Sequence, residues 1–311
     1  MPANSRLTRA PFFIKLWRMQ VWKLTIEYDG TRYRGWQEQA NARTVAGEVT
    51  RAARSVCGPA VEIGGAGRTD AGVHALAQVA HLRTDARIRA GELARKLNDN
   101  LPADVNVLKA EQAARDFHAR RSAISRSYLY QISTRRTAFA KQFVWWVKDD
   151  LDFEAMRKAS ALLVGRHDFA NLSEPTGVDR STIVVVEGVE MALAADLVLL
   201  RITASHFLWK MVRRIVGALV ELGRGKLTQP DFASLLKPDR MKDNPAGFKV
   251  AAHTAPPSGL FLERVIYDRS ERLAPIAPAF AVRTPTNLPP GRMASERFPA
   301  RRPSRGPSGG V

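Results

Sequence analysis

Strict alternation of apolar and polar residues in short stretches constrains the fold of this chain most strongly. In 22-WKLTIEY-28 every second residue from Trp22 to Tyr28 is apolar, and 126-RSYLYQIS-133 alternates in the same way. A period of two predicts strands with one buried face and one solvated face. Such strands are typical of antiparallel sheets that pack helices on one side.

Other segments extend this pattern along the chain. We predict further strands over residues 73–82, 143–148, 182–193, 197–204 and 261–267. Apolar residues at helical spacing predict helices over residues 45–56, 89–100, 152–165, 206–222 and 229–236. Thr44 and Asp152 are expected as N-caps and Gly223 as a C-cap. Strands and helices interleave in both halves, so the sequence predicts an α+β fold with mainly antiparallel sheets and flanking helices.

Shifts in composition suggest four parts of the chain. Residues 1–20 form a basic N-terminal extension, and residues 269–311 are rich in Pro, Arg, Ser and Gly. We expect residues 269–311 to be a disordered basic tail, because they lack the apolar content to order themselves. The body divides near residues 134–142 into an N-terminal α+β half, 21–137, and a C-terminal α+β half, 138–268.

Charge and cysteine usage narrow the classes of protein. The 311 residues carry a formal net charge of +18, which favours a polyanionic partner such as nucleic acid. The single cysteine, Cys57, excludes a disulfide framework and a cysteine-rich zinc site. No apolar run is long enough to span a bilayer, and the N-terminus lacks a signal-peptide pattern. These features predict a cytoplasmic protein without a membrane segment.

The glycine-rich stretch 64-GGAGRTDAGVHALAQVAHL-82 is the main candidate for chemistry. It lacks the Gly-Lys-Ser/Thr of a Walker loop, and Asp70 stands where the dinucleotide-binding pattern needs a glycine. One interpretation is a turn in which Asp70 bonds its own loop. The other is a reactive carboxylate, with Arg68 two residues before it and glycines that let a ligand approach the backbone closely.

Metal and hydrolase chemistry are not indicated. The six histidines form no helical ligand pair, and the serine elbow G-x-S-x-G is missing from the sequence. A carboxylate beside guanidinium groups stays ionised and can act as a nucleophile or a base without a metal. Any chemistry predicted from these residues is therefore carboxylate chemistry without metal or cofactor.

The stretch 67-GRTDAGVHA-75 resembles the signature of the TruA-type tRNA pseudouridine synthases. Seven further blocks resemble that family in the same order, so the resemblance covers roughly residues 22–268. They are 26-IEYDGTRYRGWQEQ-39, 44-TVAGEV-49, 97-LNDNLPADVNV-107, 117-FHARRSAISRSYLY-130, 165-GRHDFANL-172, 207-FLWKMVRRIVGALVELGRG-225 and 259-GLFLERVIY-267.

The resemblance implies a function and an architecture. Members of this family isomerise uridine to pseudouridine in the anticodon stem-loop of tRNA, at positions 38, 39 and 40, without a cofactor. They are homodimers in which two ferredoxin-like halves surround a central basic cleft. Two alternatives stay open: a related synthase acting at another position of tRNA or another RNA, and a catalytically silent RNA-binding protein on the same fold.

The resemblance also assigns roles to four residues. Asp70 matches the essential aspartate, which either attacks C1′ of the ribose or takes the C2′ proton to give a glycal. Arg68 matches an arginine that holds the flipped nucleotide, and Tyr128 a tyrosine that stacks on the target base and helps remove its C5 proton. Arg213 matches the arginine that pairs with the aspartate. The alternative roles are a surface phosphate contact for Arg68, a core position for Tyr128 and an exposed helix charge for Arg213.

Two segments depart from the family pattern. The chain has 204-ASHF-207 where the family often has Gly-Asn-Ala-Phe, and 170-ANLSEP-175 differs from the usual continuation after His-Asp-Phe. These changes leave the predicted chemistry of Asp70 alone. They leave open which uridines are modified and in which tRNAs.

Overall fold

The computed structural model describes residues 19–175, 181–237 and 248–282, and one ten-stranded sheet dominates them. Its strands are β1 Gln20–Tyr28, β2 Val61–Gly65, β3 His74–Thr84, β4 Val105–Gln112, β5 Ser125–Ser133, β6 Trp145–Trp146, β7 Gly165–Asp168, β8 Ile183–Ala194, β9 Leu197–Ala204 and β10 Leu260–Ile266. The helices are α1 Val45–Cys57, α2 Ala90–Asn98, α3 Phe153–Ala161, α4 Met211–Gly223 and α5 Gln229–Ser234.

The strand order is β4-β1-β3-β10-β5-β9-β8-β7, with β2 beside β3 and β6 beside β5. Neighbouring strands are antiparallel except β10 with β3 and β5 with β6, so the predicted α+β class with mainly antiparallel pairing is confirmed. The two halves share one sheet, because the last strand, β10, lies between β3 and β5. The domain limits expected from the sequence stay a prediction.

The main hydrophobic core lies between the sheet and its helices. Alternate residues of β1 and β5, such as Leu24 and Ile132, are buried there against Val49 of α1 and Ile215 of α4. Each such side chain contributes about 1.5–3 kcal/mol when fully buried. The alternation therefore identified both strands, but the solvated face predicted for β5 is wrong, because Leu129 and Gln131 on its other face are fully buried as well.

Helix starts follow the predicted caps. The Thr44 side chain accepts a hydrogen bond from the Gly47 amide, and Asp152 accepts one from Ala155 at 2.9 Å. Such caps typically stabilise a helix by about 1 kcal/mol.

The ends of α4 differ from the prediction. The helix begins at Met211 rather than at residue 206, because Lys210 has a left-handed backbone (φ 59°). Gly223 is not the C-cap: it is the last helical residue, and Gly225 takes the left-handed conformation (φ 74°). A Cβ at Gly223 would lie 2.7 Å from Sδ of Met156, so this glycine allows α4 to pack on α3.

Residues 269–282 are an ordered segment on the sheet face opposite the helices, so this part of the predicted disordered tail is wrong. Val282 is 4% exposed and packs in a second apolar cluster with Leu129 and Leu199. The Gln131 side chain accepts hydrogen bonds from the amides of Ala279 (2.6 Å) and Phe280 (3.2 Å). Residues 283–311 and 1–18, the rest of both predicted extensions, lie outside the described residues.

Candidate active site

Strand register brings the glycine-rich loop close to Tyr128. Leu262 of β10 pairs with Tyr128 on one side and with Ala75 on the other. Because neighbouring strands lie about 4.8 Å apart, Tyr128 is roughly 10 Å across the sheet from Ala75, which follows the loop. We call residues 66–73 the Asp70 loop.

Contacts from several elements hold the Asp70 loop. The Ala66 amide donates to the Val79 carbonyl at 2.7 Å, and the Gln78 side chain donates to the Gly67 carbonyl at 3.0 Å. Two further contacts reach the residue before Asp70. The Thr69 hydroxyl lies 2.8 Å from the Tyr28 hydroxyl, and the Thr69 carbonyl accepts from the Trp36 amide at 3.1 Å. The loop is therefore fixed up to the residue that precedes Asp70.

The glycines around the loop have different roles. The turn after Asp70 requires a left-handed backbone at residue 72 (φ 77°), which glycine adopts without strain. A Cβ at Gly65 would lie 2.5 Å from the Trp36 ring, and one at Gly64 would meet His81. Only Gly67, of these four, borders open space. The expectation that the glycines give a ligand room therefore applies to Gly67.

Asp70 and Arg213 form an ion pair, with Nη1 of Arg213 3.1 Å from Oδ2 of Asp70. Their side chains are 25% and 15% exposed, so both border the solvent. Arg213 is aimed by Ala255: its Nε donates to the Ala255 carbonyl at 2.8 Å, while its own carbonyl accepts from the Ala255 amide. The structure thus brings together the two residues that the sequence paired, and Arg213 is not an isolated surface charge.

Tyr128 is 8% exposed, and its ring meets the edge of Phe207 with 4.9 Å between centroids. Burial raises the pKa of the Tyr128 hydroxyl well above its usual range, and the nearby Tyr28 and Asp70 raise it further. The phenol is therefore protonated in the resting protein. Tyr128 is thus packed in the hydrophobic core and also lies near Asp70.

Arg68 is exposed and, among the described residues, has neither a hydrogen bond nor an ion pair through its guanidinium. Its position two residues before Asp70 leaves it available for an anion outside the chain.

Sequence reasoning missed Arg126, whose guanidinium donates to four backbone carbonyls. Nη1 reaches Ser205 at 3.0 Å and Ala123 at 3.4 Å, and Nη2 reaches Arg120 at 2.8 Å and Ala66 at 3.0 Å. The available signal was its place two residues before Tyr128, which puts both side chains on the same face of β5.

Positive charge surrounds this side of the site. Burial lowers the pKa of His206, and the nearby guanidinium groups of Arg126 and Arg120 lower it further. Arg68, Arg120 and Arg126 therefore place three cationic groups on this side of the site, whereas the charge of Arg213 is paired with Asp70. Within the described ranges no set of three His, Cys, Asp or Glu side chains could hold a metal ion. Nor does that part of the chain contain a helix long and apolar enough to cross a membrane.

Comparison with known proteins assigns the class. Residues 24–120 and 159–268 match the family model described as tRNA pseudouridine synthase. The Asp70 loop and Arg213 lie inside the matched ranges, whereas Tyr128 lies in the gap between them. The chain therefore belongs to the tRNA pseudouridine synthase family, a family of isomerases, and the resemblance found in the sequence is confirmed.

Individual relatives match over nearly their full length. The tRNA pseudouridine synthase A of Rhodopseudomonas palustris strain BisA53 is 40% identical over 253 residues, which are 80% of this chain and 100% of the relative. The tRNA pseudouridine synthase A 2 of Clostridium perfringens is 37% identical over 249 residues, covering 79% of this chain and 98% of the relative.

Proposed function

We propose that this chain isomerises uridine to pseudouridine in tRNA, at positions 38, 39 and 40 of the anticodon stem-loop, with Asp70 as the essential residue. The observation that carries the proposal is the Asp70–Arg213 ion pair at 3.1 Å on a tightly held loop. The names and near-complete coverage of the relatives support tRNA as the substrate.

The reaction needs an ionised carboxylate at the ribose. The N1–C1′ bond breaks with its electron pair moving to the uracil, the base rotates, and C5 bonds to C1′. The C5 proton then leaves and N1 takes up a proton, so the product is an isomer of the substrate. Asp70 either forms a temporary bond to C1′ or takes the C2′ proton, and both routes are compatible with the geometry.

Arg213 determines which oxygen of Asp70 acts. It binds Oδ2, while Oδ1 accepts no hydrogen bond from the described residues. We therefore assign Oδ1 as the oxygen that meets the ribose. The guanidinium orients the carboxylate through Oδ2 and does not contact Oδ1.

Tyr128 and Arg68 are assigned to the flipped nucleotide. An aromatic ring that stacks on a base contributes about 1–3 kcal/mol, and the target base must leave the helical stack to reach Asp70. Because the Tyr128 phenol is protonated, its stacking role is better supported than a role as the base for the C5 proton. We assign the exposed Arg68 to a phosphate beside the flipped nucleotide.

The proposal includes the setting of the enzyme. It requires no cofactor and no metal, because the carboxylate supplies the chemistry. We propose that it works as a homodimer in the cytoplasm, where its tRNA substrate is found. A related specificity is the second candidate, because 204-ASHF-207 departs from the family pattern beside the site, where Phe207 touches Tyr128.

The test uses an unmodified set of tRNA transcripts, with pseudouridine mapped by carbodiimide-stopped primer extension. We expect wild type to modify positions 38 to 40, and Asp70→Asn to form no pseudouridine while binding tRNA within several-fold of wild type. Asp99→Asn, an exposed aspartate at the end of α2, is the control and should retain full activity.

Three other results would change the conclusion. Activity of Asp70→Asn equal to wild type would exclude the mechanism. Pseudouridine formed only outside the anticodon arm would replace the assigned positions with the second candidate. Wild-type binding without any product would support a silent RNA-binding protein.

A further inference from the structure

The Asp70 loop and helix α4 must keep a fixed spacing, because Asp70 lies on one and Arg213 on the other. Their ion pair is one link between these elements. The other hydrogen bonds described for the loop join it to β1, β3 and Trp36 rather than to α4. Arg126 supplies a second link, since it joins the Ala66 carbonyl of the loop to the Ser205 carbonyl of the segment that leads into α4.

The chemistry of this second link is specific to arginine. Both terminal nitrogens of Arg126 use their N–H groups on carbonyls that belong to three separate segments. A guanidinium offers its donors in a rigid plane, whereas a lysine offers three donors from one atom. Lysine therefore cannot reach Ala66, Arg120 and Ser205 at once.

The charge of Arg126 has no carboxylate partner among the described residues. Burial lowers the pKa of the half-buried Arg126 guanidinium, so a cation that binds only neutral carbonyls is costly to the free protein. The packing of Arg126 therefore fits a role in the active site better than a role in stability.

We propose that Arg126 is a positioning residue for the isomerisation: by bridging Ala66 and Ser205 it fixes the carboxylate of Asp70 against Arg213. Ala66 lies four residues before Asp70, and Ser205 lies six residues before the first residue of α4. The inference rests on the proposed function of Asp70, and it adds a residue that touches neither the ribose nor the base.

The variants are Arg126→Ala, Arg126→Gln and Arg126→Lys, with Arg83→Ala as the matched control. Arg83 also donates to two backbone carbonyls, of Arg115 (3.3 Å) and Phe117 (3.2 Å), but neither lies in the Asp70 loop. For each protein the single-turnover rate at saturating tRNA, the tRNA Kd and the unfolding midpoint are measured.

We expect the three Arg126 variants to lose about ten- to hundred-fold in rate, because displacement of a reacting group by about 1 Å has an effect of that order. Their tRNA Kd should stay within about threefold of wild type, and Arg126→Lys should recover no more than Arg126→Ala. Arg83→Ala should keep the wild-type rate, even where its unfolding midpoint falls as far as the midpoints of the Arg126 variants.

Chemical rescue separates positioning from folding. Added methylguanidinium chloride, at concentrations that leave the wild-type rate unchanged, should raise the rate of Arg126→Ala at least fivefold. Methylammonium chloride, which brings the charge without the planar donors, should not. Arg126→Gln keeps one amide donor, so it serves as the folded variant where Arg126→Ala is unstable.

Three outcomes would overturn the inference. They are a rate of the Arg126 variants within twofold of wild type, a defect confined to tRNA affinity, and an equal loss of rate in Arg83→Ala. If wild type is active and the Arg126 variants are fully active as well, only this inference is contradicted. An inactive wild type on tRNA removes the proposed function, and this inference with it.

Discussion

At the residue scale, the sequence identified the residues that we propose as the reacting groups, but not what holds them. The signature loop and the collinear blocks led to Asp70 and Arg213, and the structure places them in contact. The supports Gln78, Tyr28 and Arg126 lie within the stretches quoted above, but nothing in the sequence pairs them with the Asp70 loop. Their contacts join residues 11 to 60 positions apart, and such distances become readable only once the strand register is known.

Substitution of Arg213 tests the aiming of Asp70. Arg213→Lys keeps the positive charge but loses the two separate nitrogen donors that bind Asp70 and the Ala255 carbonyl at the same time. We expect kcat to fall at least tenfold with little change in KM, because the interaction matters most in the transition state. Steady-state kinetics on one tRNA checks this, and an unchanged kcat would remove Arg213 from its assigned role.

Histidine burial predicts how stability depends on pH. Burial lowers the pKa of His74, whose Nδ1 accepts the Gly30 amide at 3.1 Å, so the folded protein holds this ring neutral. The unfolded chain then binds more protons, and stability falls as pH drops below the ordinary histidine value of about 6.5. Burial also lowers the pKa of His81, His118 and His206, so they add to the same trend.

Urea unfolding at pH 7.5 and 5.5 measures this effect. His74→Asn should lose less unfolding free energy between the two pH values than wild type does, by at most about 1.4 kcal/mol for each pH unit. Its stability at pH 7.5 should already be lower, because His74 stacks on Phe261 at 4.8 Å. An identical pH dependence in both proteins would show that His74 protonates equally in the folded and unfolded states.

At the element scale, periodicity predicted the helices and most strands, but it missed β2, β4 and β7. Strand β2, 61-VEIGG-65, has too few alternating residues to be recognised, and its pairing with β3 defines it. Residues 269–282 were expected to be disordered on composition. Their order comes from Gln131 and from the second apolar cluster, which belong to distant parts of the chain.

Gln131 provides a test of that segment. The side chain is fully buried and binds Ala279 and Phe280 as well as the Phe143 carbonyl. Gln131→Leu should lower the unfolding free energy by about 1–3 kcal/mol, because it leaves buried backbone groups without partners. It should also speed tryptic cleavage after Arg272. Gln39→Leu, at an exposed position, is the control, and equal cleavage in both variants would contradict the role of Gln131.

At the scale of the whole molecule, the alternating strands predicted the α+β class, and the family resemblance supplied the two halves. The joining of those halves into one sheet was not predictable, because it depends on the C-terminal strand β10 entering between β3 and β5. That insertion places Tyr128, Leu262 and Ala75 side by side. The candidate active site therefore depends on the pairing of β3, β10 and β5, and its geometry is a property of the complete sheet.

The net charge of +18 raises the question of which part of the molecule binds RNA. If the body binds it, through exposed residues such as Arg68, log Kd for tRNA should rise steeply with log salt as counterions are released. Neutralisation of about four phosphates predicts a slope of about 3 to 4.

A variant that ends at residue 283 removes the arginine-rich residues beyond it, and its slope should stay within one unit of the wild-type slope. Filter binding between 50 and 300 mM KCl measures both slopes. A flat response in wild type would contradict RNA binding through phosphate contacts, whereas loss of the slope only in the shortened variant would move the main contact to the tail.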